Sequence, residues 1–173
     1  WMGGMGLIVL AVAILPLLGV GGRQMFKAEA PGPMKESKLT PRMAETAKGL
    51  WLVYAAITLV CILAMHRAGM NWEDAVMHAF TTMGLGGFST HDASYGYFDS
   101  PEIEVITIFF MTLAGMNFAT HFLAWRAKNL DPYLVDPEIR WYLLVMFAGV
   151  LGIALYLWIH EVYADPGTAL RYA

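Results

Sequence analysis

Four stretches of this chain carry no formal charge and are each close to the length that crosses a bilayer as a helix: residues 1–22, 49–66, 105–125 and 141–159. About 20 predominantly apolar residues span the hydrocarbon core, and inside lipid the backbone must satisfy its own N–H and C=O groups, which a helix does. These runs therefore predict an all-α integral membrane fold. A fifth uncharged run, residues 75–90, behaves differently. It is cut by Gly84, Gly86 and Gly87, leaving fewer than about three turns of helix ahead of them, too short to cross. Composition agrees with a bilayer, with 58% hydrophobic and 14% charged residues. The single cysteine, Cys61, lies in an apolar run and excludes an intrachain disulfide. The chain opens inside an apolar segment, "WMGGMGLIVL", without an initiator Met or a basic lead, and reads as an internal piece of a longer protein.

The placement of charge divides the loops. Residues 23–48 carry six cations (Arg23, Lys27, Lys35, Lys38, Arg42, Lys48) and residues 126–140 three (Arg126, Lys128, Arg140), so both are expected on the cytoplasmic side. Residues 67–104 hold Arg67 against six acids (Glu73, Asp74, Asp92, Asp99, Glu102, Glu104), and residues 160–173 hold only Arg171 as a cation, so both are expected outside. The order in, out, in, out fits four spans only if residues 75–90 enter and leave on one face, as a re-entrant loop. Helix starts agree: "TP" at Thr40, "NWED" at Asn71, "SPE" at Ser100 and "DPE" at Asp136 place capping residues ahead of the runs. "GGMGL" at residues 3–7 weakly echoes "AGMNF" at 114–118, as in proteins built from duplicated units.

Irregular backbone at membrane depth needs a protein or aqueous lining. Glycines that aim successive carbonyls into a narrow path suit a desolvated cation, and a short helix entering at Asn71 would direct its partially negative end at the same place. The alternative is that these glycines only allow close helix packing.

The segments "WMGGMGLIVLAVAILPLLGVGG", "AEAPGPMK", "RMAETAK" and, most specifically, "TTMGLGGFSTHDASYGYFDSP" resemble the TrkH-type membrane subunits of bacterial Trk potassium uptake systems, in the Trk/Ktr/HKT superfamily. The resemblance covers essentially the whole chain. It implies helix–re-entrant pore loop–helix repeats around one pore, four spans plus one pore helix falling in this chain. Residues 1–22 would be the inner helix ending a first unit, 23–48 a cytoplasmic loop, 49–125 a complete second unit (pore helix 72–84, filter 85–89, inner helix 103–125), and 126–173 a cytoplasmic loop with the outer helix of a third unit. The carbonyls of Leu85, Gly86, Gly87 and Phe88 would bind potassium, with the side chains of Leu85 and Phe88 packed behind them. The resemblance further implies a bacterial inner-membrane location, a homodimer, cytosolic nucleotide-binding subunits of the TrkA type, and potassium as the transported ion with no cofactor or nucleic acid.

Other polar residues carry weaker signals. His91 and Asp92 follow the glycine segment and are outer-mouth candidates, for concentrating cations or for capping the loop. Asn117 and His121 lie four apart on the third span and are pore-facing or interhelical candidates, the interhelical bond being favoured. His78 in the short helix suits a structural bond behind the filter, and His66 and His160 suit the membrane interface. An intramembrane hydrolase would need Ser89 and His121 as a dyad, and "GGFS" lacks the pattern around a nucleophilic serine. A structural subunit without a filter is the other alternative.

Overall fold

The computed structural model describes residues 1–3, 43–163 and 165–171, with side chains in the first helix described from residue 47 onward. Helices α1 (Met43–Arg67), α2 (Trp72–Met83), α3 (Pro101–Gly115), α4 (Phe118–Ala127), α5 (Asp131–Val135), α6 (Pro137–Ile159) and α7 (Pro166–Arg171) follow in order, with a short 3-10 turn at Ser94–Tyr97 between α2 and α3. No strand occurs among the described residues. The expected first span, its echo at residues 4–7 and most of the cationic 23–48 loop lie outside them.

Residues 1–132 form one compact unit. Within it α1 packs against α2, α3 and α4, and α2 also packs against α3. The apolar part of α1, Ala47–Arg67, has 21 residues; at 1.5 Å per residue it is about 31 Å long, the thickness of a hydrocarbon core. Ala47, Leu50, Tyr54, Thr58, Cys61 and Met65 repeat at helical spacing and form its buried face. Leu52, Leu59, Val60 and Leu63 are exposed on the other side, an apolar face that lipid or further protein must cover. The Met70 N–H closes the C-terminus of α1 on the Met65 carbonyl, and the His66 imidazole, stacked on Trp72, donates through Nδ1 to the Met70 carbonyl at 2.8 Å.

Helix α2 has 12 residues and is too short to cross. Its start is fixed locally: Asn71 accepts the Asp74 N–H at 2.8 Å while its side-chain amide donates to the Asp74 carboxylate at 2.9 Å, and Glu73 and Asp74 face the positive end of the helix dipole. The other proposed starts that fall on described residues also cap their helices: Ser100 accepts from the Ile103 N–H and Asp136 from the Glu138 N–H, each with a proline in the first turn.

The third apolar run departs from expectation. The sequence predicts one helix over residues 103–125, but α3 and α4 meet at 93°. Met116 (ψ 160°) and Asn117 (ψ 117°) are extended, and the Asn117 side chain caps α4 by accepting the Ala119 N–H at 3.0 Å. The break exposes helix-end carbonyls in an apolar setting. The His121 Nε2–H supplies one donor, reaching back to the Leu113 carbonyl at 2.9 Å, and the Met116 N–H supplies another at 3.1 Å. Gly49 lets α4 approach α1, since a Cβ there would lie 2.1 Å from the Phe122 ring.

Residues 133–173 form the second unit. Its main element, α6, has 23 residues with mean hydropathy 2.2 and buries none of its apolar window within this chain. Helix α7, begun by Asp165 accepting the Thr168 N–H, packs back on α6. Among the described residues, two helices are long and apolar enough to cross a membrane, or three if the bent pair counts as one span.

Candidate functional site

The segment that follows α2 folds back along that helix, and side chains on one helical face hold it. Asp74, His78, Thr81 and Thr82 are spaced four, three and one residues apart, so they share that face. The Thr81 hydroxyl accepts the Phe88 N–H at 2.8 Å, His78 Nε2 meets the Ser89 hydroxyl at 2.9 Å, and Asp74 Oδ1 accepts from the Thr90 hydroxyl at 2.7 Å and from His91 Nε2 at 3.1 Å. The lengths match. Seven helical residues from Thr81 back to Asp74 rise about 10 Å, and three extended residues from Phe88 to His91 also cover about 10 Å. Helix and segment therefore run antiparallel in step, bonded at each turn.

The tautomer of His78 follows from its partners. Nδ1 lies 2.8 Å from the Asp74 carbonyl, which only accepts, so Nδ1 carries the proton and Nε2 accepts the Ser89 hydroxyl. The Ser89 oxygen in turn accepts the His91 N–H at 3.1 Å. Around these imidazoles the 3-10 turn builds an aromatic wall. Tyr97 stacks on His91 with centroids 3.7 Å apart, Tyr95 and Phe98 meet His78 edge-on, and the Tyr95 hydroxyl bonds Thr82 Oγ1 at 2.8 Å. His78 is fully buried.

Asp74 is the anchor at the N-terminal end of α2. Its carboxylate takes three side-chain donors, and the Thr90 hydroxyl, followed by the His91 imidazole and the Asn71 amide, holds it below its ordinary pKa against the upward push of desolvation.

At the C-terminal end of α2 the backbone turns sharply. The Gly84 N–H bonds the Phe80 carbonyl, the Leu85 N–H the Thr82 carbonyl and the Gly86 N–H the Thr81 carbonyl, at 3.0, 3.2 and 2.8 Å. Leu85 (φ 50°) and Gly87 (φ 71°) adopt left-handed backbone at alternate positions, which breaks the strand pattern in which successive carbonyls face opposite sides. A Cβ at Gly87 would meet nothing within 4 Å, so the glycine there serves conformation. Gly84 serves packing instead: a Cβ would lie 2.9 Å from the Trp1 backbone nitrogen and 3.0 Å from the Phe80 carbonyl. Trp1 itself is stacked on Tyr54 and Phe80 and donates its indole N–H to Thr58 at 2.8 Å.

The hydrogen bonds of residues 84–88 run through their N–H groups. Among the described residues, none donates to the carbonyls of Leu85, Gly86, Gly87 or Phe88, and all four residues are exposed. No basic residue occupies the last turn of α2, so the partial negative charge of that helix end is not neutralised from within the helix. Four carbonyls that take no donor among the described residues, on exposed residues beside a helix C-terminus, suit a partly desolvated cation.

Several sequence expectations meet a different arrangement. Within this chain the side chains of Leu85 and Phe88 are 52% and 78% exposed, and the side chains that bond between the segment and α2 are those of Thr81, His78 and Ser89. The imidazole on Ser89 belongs to His78 and not to His121, whose Nε2 is taken by the Leu113 carbonyl. Asn117 and His121 do not form one patch on a continuous helix; they sit on either side of a helix start, one capping it and the other closing the helix before it. His91 joins the Asp74 network, while Asp92 is exposed. Reasoning from sequence missed Thr81 and the anchoring role of Asp74; the i, i+4, i+7 spacing of polar residues on so short a helix was the signal.

Comparison with known proteins gives one consistent result. The profile of the TrkH family, described as a cation transport protein, matches residues 1–163. The Trk system potassium uptake protein TrkH of Halomonas elongata is 52% identical over 173 residues, covering 100% of this chain and 36% of that protein. Its counterpart in Escherichia coli K12 is 53% identical over 165 residues, covering 95% and 34%. The crystal structure of the potassium transporter TrkH from Vibrio parahaemolyticus superposes with a TM-score of 0.77 at 43% identity, covering 99% of this chain and 34% of that one. The chain thus spans about a third of the length of these relatives.

Proposed function

The chain belongs to the TrkH family of cation transport proteins, and from that premise we propose that it is the portion of a potassium uptake protein that supplies one strand of a carbonyl-lined cation path. The observation that carries this reading is that Leu85, Gly86, Gly87 and Phe88 are exposed and their carbonyls take no donor among the described residues, at the C-terminus of the short helix α2. Potassium would shed part of its hydration shell against these oxygens, with the helix dipole and the surrounding low dielectric favouring its charge. No bond is made or broken in such a passage, so the activity is transport without chemical catalysis.

In this reading residues 49–125 are one helix–pore loop–helix unit, and the pore units contributed by the rest of a longer polypeptide complete the ring. Residues 1–22 end the preceding unit, and 126–173 begin the next. The protein lies in the bacterial inner membrane with residues 23–48 and 126–140 in the cytoplasm and 67–104 and 160–173 in the periplasm. Cations would arrive at the acidic outer face, where Asp92 is exposed. It assembles as a homodimer, with TrkA-type nucleotide-binding subunits on the cytoplasmic face and anionic lipid beside the cationic loop.

The hydrolase reading loses its dyad. His78, which does meet Ser89, is oriented by a backbone carbonyl where a hydrolytic triad uses a carboxylate, and the Ser89 oxygen is occupied by the His91 N–H. The test of the transport reading is rubidium uptake, with sodium competition, in a potassium-uptake-deficient bacterium expressing the full-length protein with Gly87→Ser. Lost uptake or relaxed preference at normal membrane expression supports the path; unchanged transport makes this chain a structural segment.

A further inference from the structure

A peptide plane carries its N–H and C=O in opposite directions, so whatever binds the N–H also aims the carbonyl of the preceding residue. The Phe88 N–H is bound by Thr81 Oγ1 at 2.8 Å, which turns the Gly87 carbonyl away from α2. The Gly86 N–H is bound by the Thr81 carbonyl at 2.8 Å, which turns the Leu85 carbonyl away from the same residue. One threonine therefore aims two of the four carbonyls, one through its hydroxyl and one through its backbone. These are also the carbonyls of the two residues with left-handed backbone, Leu85 and Gly87, where the chain has most need of an external constraint.

The second constraint sits one turn along the helix. Ser89 donates its only hydroxyl proton to His78 Nε2, and His78 is locked as an acceptor there because its Nδ1 proton is committed to the Asp74 carbonyl. His78 is fully buried among Tyr95 and Phe98, so its ring does not shift to follow a displaced serine. Residues 87–89 are thus pinned on both sides of the Phe88 carbonyl.

We propose that Thr81 and His78 are positioning residues for cation preference: by fixing the Gly87–Phe88 peptide plane and Ser89, they set the spacing and direction of the carbonyls from Leu85 to Phe88, and with them the size of cation that is coordinated. The proposal rests on the reading of residues 85–88 as a cation path. It goes beyond that reading in placing selectivity on side chains that touch no ion.

The test uses the purified full-length transporter in proteoliposomes and measures rubidium and sodium fluxes for Thr81→Val, Thr81→Ser, Ser89→Ala, Ser89→Thr and Gly87→Ala. Valine keeps the volume of threonine and removes the acceptor for the Phe88 N–H; alanine at 89 removes the donor to His78. Each is expected to lower the rubidium-to-sodium ratio about tenfold, the scale of one lost hydrogen bond, while Thr81→Ser and Ser89→Thr restore it. If Thr81→Val does not reach the membrane, Ser89→Ala and its rescue by threonine carry the test. Reduced flux with an unchanged ratio in both valine and alanine variants overturns the proposal, because support of the fold alone does not discriminate between ions. A ratio that moves with Gly87→Ala but not with Thr81→Val or Ser89→Ala overturns it while the path stands. Unchanged flux and ratio in all five variants overturns the path as well.

Discussion

The Thr81 hydroxyl accepts the backbone N–H of Phe88 at 2.8 Å across a gap of seven residues, tying the last turns of the short helix α2 to the segment that leaves it. The same helical face holds Ser89 through His78, and Thr90 and His91 through Asp74, so the whole return path is registered against α2. The carbonyls of residues 85–88, which take no donor among the described residues, are what this arrangement leaves over.

Replacing Gly87 by alanine strains the backbone without a steric clash among the described residues, since its φ is +71° and nothing lies within 4 Å of the added Cβ. The cost in the left-handed region is about 1–2 kcal/mol. The full-length protein should still reach the membrane, with rubidium uptake reduced or its preference over sodium relaxed; wild-type uptake and preference would count against a conformational role for this glycine.

Asn71→Ala removes the acceptor for the Asp74 N–H and the donor to its carboxylate. Loss of such a cap costs about 1 kcal/mol, so the thermal midpoint of the detergent-solubilised transporter should fall by a few degrees, and Asn71→Ser, which keeps an acceptor for the Asp74 N–H, should recover part of it. An alanine variant as stable as the parent would show that α2 does not depend on its cap.

Because Asp74 is held below its ordinary pKa, chiefly by Thr90, its folded value lies under its unfolded one. The stability it contributes is fully present above the ordinary carboxylate pKa, near 4, and is lost as pH falls through the lower folded value. The difference in thermal midpoint between the parent and Asp74→Asn should therefore be largest near neutrality and shrink toward about pH 3. A difference that stays constant over that range contradicts the assignment of Asp74 as an ionised anchor.

His121→Ala leaves the Leu113 carbonyl without its imidazole donor at the break between α3 and α4. The Leu113 carbonyl keeps the Met116 N–H, so the loss is that of one hydrogen bond, about 0.5–1.5 kcal/mol. Thermal stability should drop accordingly, and His121→Gln, which keeps an N–H donor, should retain more of it; equal losses for alanine and glutamine would assign the effect to packing of the ring against Phe118.

Features set by a few neighbouring residues were legible in the sequence. Asn71, Ser100 and Asp136 announce their helices because capping is local, and the short helix expected over residues 72–84 spans Trp72–Met83. The Asp-Pro pairs at 131 and 165 carry the same signal as the one at 136, yet the short helices they start were overlooked between longer apolar runs. The bend at Met116–Asn117 was hidden for a related reason. Hydropathy sums over a window and does not register that an asparagine after a glycine favours a new helix start over a continued span. The partners of Ser89, His121 and Asp74 depend on how the chain folds back, which spacing along a single helix does not reveal.

The central claim is that the carbonyls of residues 85–88 line a cation path. The most direct measurement is anomalous scattering from crystals of the full-length transporter grown in thallium or rubidium. The account predicts an anomalous peak within coordination distance of the Leu85, Gly86, Gly87 and Phe88 carbonyls, weakened in Gly87→Ala. A well-ordered segment with no peak on these carbonyls, and a peak elsewhere in the pore, would contradict it.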